Sequence, residues 1–194
     1  MLMGACMKNG CYQEEDAEIW YWNGQYHRED GPAYIESDGT QAWYLHGEQH
    51  RIGGPAVTWS DGREDWYVNG QRHRTDGPAI VYAEGAGSAW YLNGELHRVD
   101  GPALEFATGA KSWYQKGQLH REDGPAVEGA DGTREWHLRG IEVTEEQFNK
   151  TLESQPKIVT KTSINTRVVV NRMLALRNLF AEEGGSTSGV KPKR

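Results

Sequence analysis

The chain is short of most of what builds a large buried core or a familiar reactive site. Only 37% of its 194 residues are apolar. No run approaches the ~20 apolar residues that a membrane span needs. The opening "MLMGACMKNGCY" lacks the basic flank and long apolar stretch of a secretion signal, so a cytoplasmic protein is expected. Cysteine is nearly absent: Cys6 and Cys11 could close one bridge, although reduced thiols fit that compartment better. Their C-x4-C spacing has no second pair nearby, which argues against zinc. No glycine-rich phosphate loop opens a helix, and neither "GxSxG" nor "HExxH" occurs. Neither catalysis nor a cofactor is therefore expected.

Basic charge is also scarce. Lys and Arg number 21 against 28 Asp and Glu, and residues 1–140 carry a net of -10 while 141–194 carry +3. An acidic body has no basic face for nucleic-acid phosphates, and it suits anionic membrane surfaces poorly. What the chain does have is 24 glycines and 8 tryptophans. That composition points to a turn-dense β protein built around a few large rings.

Those residues repeat. "WYWNGQYHREDGPA" begins at Trp20, "WYLHGEQHRIGGPA" at Trp43, "WYVNGQRHRTDGPA" at Trp66, "WYLNGELHRVDGPA" at Trp90 and "WYQKGQLHREDGPA" at Trp113. A degenerate copy starts at Trp136. Successive tryptophans lie 23 or 24 residues apart, and the one extra residue falls in "EGAGSAW" (84–90), as an insertion into a turn. A constellation present five times at one spacing is a scaffold, because a repeat needs the same internal contacts in every unit.

Each unit carries two turn signals. Asn23-Gly24, Asn69-Gly70 and Asn93-Gly94 predict type I′ hairpins, and His46-Gly47, Lys116-Gly117 and Arg139-Gly140 keep the glycine. Asp38-Gly39, Asp61-Gly62, Thr108-Gly109 and Asp131-Gly132 mark a second turn about 15 residues on. Two-residue loops at both would place Trp43 opposite His50 on one side and Tyr34 on the other, with Tyr44, Tyr67 and Tyr114 opposite Ala33, Ala56 and Ala103. His27, His50, His73, His97 and His120 are then packing partners for tryptophan. They are poor metal ligands, since units two strands apart are ~9–10 Å apart and Zn–N bonds are ~2 Å. Asp30, Asp76, Asp100 and Asp123 are expected to shape the Asp-Gly-Pro bend through their own backbone contacts.

The units resemble MORN repeats, which share this period, the aromatic start and the Gly turn. Their "G-x-x-H-G-x-G" core is matched only as far as the histidine of "NGELHRVDGPA". The likeness is closer to a MORN-like variant, "WYxNGxxHRxDGPA", of phage and bacterial proteins. The ending "IEVTEEQF" (141–148) looks like the usual close of such arrays, so the resemblance spans residues 18–148. It implies an elongated, twisted antiparallel β-meander of five units used for binding, without catalytic residues of its own. It also implies a phage-encoded protein that sequesters or blocks a host factor such as a defence component.

The expected organisation is an N-terminal cap (1–17), the array (18–143), a C-terminal helical segment (144–183) and a flexible tail (184–194). Thr144 and Gln147 form a capping box that starts a short helix able to close the sheet. A second helix over 164–183 would align Val169, Met173, Leu176 and Phe180. It either docks on the repeats or pairs with a copy of itself or a target. Partner recognition is expected where units differ. These positions are Trp59, Tyr82 and Phe106 on the presumed tryptophan face, and Arg72 and Leu96 beside Tyr44, Tyr67, Tyr91 and Tyr114 on the tyrosine face. The alternative is a self-associating assembly protein that uses the second helix.

Overall fold

The computed structural model describes residues 9–154. The fold is mainly β: a long antiparallel meander in which thirteen strands follow one another across a fourteen-stranded sheet. Gly10–Gln13 forms one edge and pairs with Ala17–Trp22, so the described part of the cap is itself a strand. The opposite end is the hairpin Arg134–Leu138 with Ile141–Val143. Four further hairpins, including Tyr44–Leu45 with Glu48–Gln49 and Tyr67–Val68 with Gln71–Arg72, form their own two-stranded ribbons.

The first turn of each unit folds as its sequence predicts. Asn23 and Gly24 take φ of 51° and 76°, and Asn69 and Gly70 take 49° and 72°, the paired positive φ of a type I′ turn. His46, Lys116 and Arg139 adopt the same left-handed conformation without asparagine's tolerance for it.

The second turn differs from expectation. Asp38 is not in the left-handed region; only Gly39 is, at φ 98°. Glu36 N–H donates to the Thr40 carbonyl and Gly39 N–H to the Glu36 carbonyl, which closes a three-residue loop with a glycine bulge. The Asp38 carboxylate accepts the Thr40 N–H at 2.8 Å, and Asp61 and Asp131 accept Arg63 N–H and Thr133 N–H at 2.9 Å. The aspartate thus holds the loop in a conformation that a two-residue turn would forbid. The extra residue of "EGAGSAW" lies in the corresponding turn, which contains the short 3-10 segment Ala83–Gly85.

One additional loop residue shifts the pairing by one. Tyr34 opposes Ala42, where Trp43 was expected, and in the next unit Val57 opposes Asp65 in the same way. The residues facing the tryptophans are therefore the alanines. Trp20, Trp43, Trp66, Trp90 and Trp113 donate their backbone N–H groups to Ala33, Ala56, Ala79, Ala103 and Ala126 at 2.7–2.8 Å. All five alanines are fully buried. Tryptophan and alanine alternate across the sheet, and each methyl leaves room for the rings on both sides.

The helix α1, Glu145–Ser154, follows the last hairpin. The capping box forms as expected: Thr144 Oγ1 accepts the Gln147 N–H at 3.2 Å, and Gln147 Oε1 accepts the Thr144 N–H at 2.9 Å. Phe148 on this helix is buried. Among the described residues no helix is long and apolar enough to cross a membrane. The second helix, its self-association residues and the tail lie outside the described residues, as does Cys6.

Candidate functional site

The recurring "HR" pair is where sequence reasoning was least complete. The group stacked on each tryptophan is the arginine guanidinium, not the histidine imidazole. The guanidinium carbons of Arg28, Arg51, Arg74, Arg98 and Arg121 sit 4.0, 3.9, 4.2, 3.9 and 3.8 Å from the centroids of Trp20, Trp43, Trp66, Trp90 and Trp113. Each arginine also donates to the proline carbonyl four residues on, at 3.1–3.4 Å. The aspartates act chiefly on the arginines: Asp30, Asp76, Asp100 and Asp123 accept from the arginine Nε at 2.7–3.1 Å, and Asp30 and Asp76 also accept their own backbone N–H. That hydrogen bond from Arg28 holds the Asp30 carboxyl below its ordinary range, and Arg74 does the same for Asp76.

The glycine before each proline follows from this clamp. A Cβ at Gly31 or Gly77 would meet the guanidinium carbon of Arg28 or Arg74 at 2.8 or 2.9 Å. Only glycine lets the arginine lie flat beneath the bend. A planar cation over an indole contributes ~0.5–2 kcal/mol depending on its desolvation, so five such clamps are substantial for one sheet.

The histidines oppose the tryptophans across the first turn as expected, donating their backbone N–H groups to the tryptophan carbonyls at 2.9–3.1 Å, and their rings join successive hairpins. Nδ1 of His27, His50, His73, His97 and His120 accepts the turn N–H of His46, Asn69, Asn93, Lys116 and Arg139 at 3.1–3.2 Å. Among the described residues no group of His, Cys, Asp and Glu is placed to hold a metal. Burial, with the Lys116 charge behind it, pushes the His97 pKa below 6.5. Its folded pKa is lower than its unfolded one, so this contribution to stability is complete above pH ~6.5 and is lost as the pH falls below it. Urea midpoints at pH 7.5 and 5.5 should therefore fall less for His97→Asn, which keeps an acceptor that does not titrate, than for the unmodified chain.

The register shift also moves the variable positions. Trp59 pairs with Arg63 across the second turn and so shares its face, and Arg63, Asp65 and Tyr67, two apart along the chain, point the same way. The two surfaces expected on opposite faces thus lie on one. Tyr44, Tyr67, Tyr91 and Tyr114 oppose Gln49, Arg72, Leu96 and Leu119 as expected, along one side of that face. Trp59, Tyr82 and Phe106 line the other side, and Trp59 and Phe106 are 42% and 37% exposed. The Tyr82 and Phe106 rings are 5.8 Å apart. The Arg63 guanidinium lies 5.7 Å from Trp59 and 5.5 Å from Tyr82, making the strip continuous.

Between the two sides lies Asp65, the largest fully buried side chain among the described residues. The other copies place Ile19, Ala42, Ala89, Ser112 or Glu135 at this position. Its carboxylate accepts from Arg63 Nε and Nη2, both at 2.8 Å, and Arg72 Nη2 approaches to 3.6 Å. The hydrogen bond to Asp65 raises the Arg63 pKa above its ordinary value. Arg72 is itself 5.5 Å from both Tyr67 and Tyr91, so this candidate is already engaged within the face. Neither Arg63 nor Asp65 was singled out by sequence. The available signal was a carboxylate at a position where the units on either side carry alanine, Ala42 and Ala89.

The last hairpin and the start of α1 enclose an open recess lined by Arg134, Glu135, Trp136, Glu142 and Gln147. His137 Nε2 lies 3.2 Å from Glu135 at its margin. No protein-family model and no curated protein matches the chain.

Proposed function

We propose that the chain is a non-enzymatic, MORN-like protein-binding module of the cytoplasm that engages its partner through the face bearing Trp59, Arg63, Tyr82 and Phe106. The exposed Trp59–Phe106 strip supports this reading, because it differs between units while the clamp residues recur. Partly exposed aromatic rings around an oriented arginine are the residue types that dominate binding energy at protein interfaces. Rings held by a sheet also lose little freedom on binding. The resemblance to phage proteins makes a host factor, such as a defence component, the partner of choice.

The test is co-purification from bacterial lysate with the full chain and with the double variant Trp59→Ser, Phe106→Ser. One stoichiometric protein should be retained by the first and lost by the second, at about 2 kcal/mol or more of binding energy. Equal retention by both, or turnover of a small molecule by the purified chain, would count against the proposal.

A further inference from the structure

Four of the five stacked arginines bond a carboxylate two residues on, and the fifth does not. In the second unit, "HRIGGPA", glycine stands where the others have aspartate. Arg51 keeps the rest of the clamp: its guanidinium lies 3.9 Å from the Trp43 centroid and donates to the Pro55 carbonyl at 3.1 Å. Its Nε, which elsewhere meets aspartate at 2.7–3.1 Å, has no carboxylate partner among the described residues. The guanidinium is therefore held in the orientation that binds a carboxylate, with the carboxylate removed.

The place left by that carboxylate is open. A Cβ added at Gly53 would meet nothing within 4 Å, although Gly53 takes a φ of 80° that none of the sister aspartates shares. In the sister units the aspartate there is 49–84% exposed, so the position is reached from solvent. Beside it Ile52 is 74% exposed, the highest among the exposed large apolar residues. An oriented, unneutralised guanidinium next to an exposed aliphatic side chain complements a carboxylate with an apolar neighbour. A polypeptide with an Asp or Glu beside an apolar residue presents both at once.

We infer that Arg51 is a recognition site for an Asp or Glu side chain of a protein partner, with Ile52 contacting the apolar residue beside it. The site lies on the tryptophan face, away from the Trp59–Phe106 strip. It rests on the protein-binding reading only for the source of the carboxylate.

The test follows the Nε–H resonances of the stacked arginines by NMR in the full chain, during titration with the blocked peptide Ala-Leu-Asp-Ala. A saturable shift is expected at Arg51 alone, with none at Arg28, Arg74, Arg98 or Arg121. The peptide with Asn in place of Asp should give no shift. Gly53→Asp, which restores the sister units' aspartate once the backbone leaves φ 80° for their conformation, should abolish the response. Ile52→Ser should weaken the peptide about tenfold while leaving the weaker response to acetate unchanged. Equal shifts at all five arginines, an equal response to chloride or to the Asn peptide, or full binding by Gly53→Asp would each overturn the inference. Repeating the titration on the Trp59→Ser, Phe106→Ser variant separates the two readings. An intact Arg51 response there shows that this site works whether or not the aromatic strip does.

Discussion

Arg63→Ala is expected to destabilise the chain by about 3 kcal/mol, more than Asp65→Ala or the double variant. The asymmetry comes from burial. The Asp65 side chain is 2% exposed, while Arg63 and Arg72 are 29% and 34% exposed. Removing Arg63 leaves a buried carboxylate with one guanidinium at 3.6 Å, and stranding a charge in that way costs ~3–5 kcal/mol before partial compensation. Removing Asp65 frees two arginines that can turn their heads to water, which costs about 1 kcal/mol. It also restores the small residue that Ala42 and Ala89 supply in sister units, so the double variant should recover most of the loss. Urea unfolding of the three variants checks this. A single Arg63→Ala no worse than the double would mean that the Asp65 charge is not stranded.

The second large effect is at the alanine row. Ala103 is fully buried and bonded on both sides, accepting from Trp90 N–H at 2.7 Å and donating to the Ser112 carbonyl at 2.8 Å. By register it opposes both Trp90 and Trp113. Leucine there must displace an indole, and each indole is held under an arginine. Overpacking of this kind typically costs ~1–3 kcal/mol, and the absence of slack on either side places Ala103→Leu near the top of that range. Because each unit contacts only its neighbours, the damage should stay local. Hydrogen exchange should accelerate around residues 88–127 and remain nearly unchanged around 17–45.

The repeat, the I′ hairpins, the capping box and the tyrosine-side pairing are all legible in the sequence, because each depends on a local signal at fixed spacing. The register of the second turn is not. "SDGT" is compatible with a two-residue or a three-residue loop, and the choice is made by Asp38 accepting the Thr40 N–H. That one residue decides which side chain faces each tryptophan and on which face Trp59 emerges. The arginine clamp was visible as a recurring "HR", but its role depends on a guanidinium passing under Gly31 and its counterparts. Spacing alone does not reveal so close an approach. The Asp65 network is harder still, since it joins residues from different strands that no repeat pattern links.

In the proposed function, recurring residues with their full set of contacts hold the units together, and the positions that differ, including the one that leaves Arg51 without an aspartate, recognise a partner. Arg74→Lys separates these directly. Lysine keeps the charge but loses the planar stack on Trp66 and the fixed fork to Asp76 and the Pro78 carbonyl, so stability should fall by about 1–2 kcal/mol. The decisive measurement is the affinity of this variant for the co-purified partner at a temperature where it remains folded. The account predicts an affinity within about twofold of the unmodified chain, a difference of less than half a kcal/mol. A loss of tenfold or more would contradict it, because a clamp arginine already paired with its own aspartate would then be part of the recognition surface.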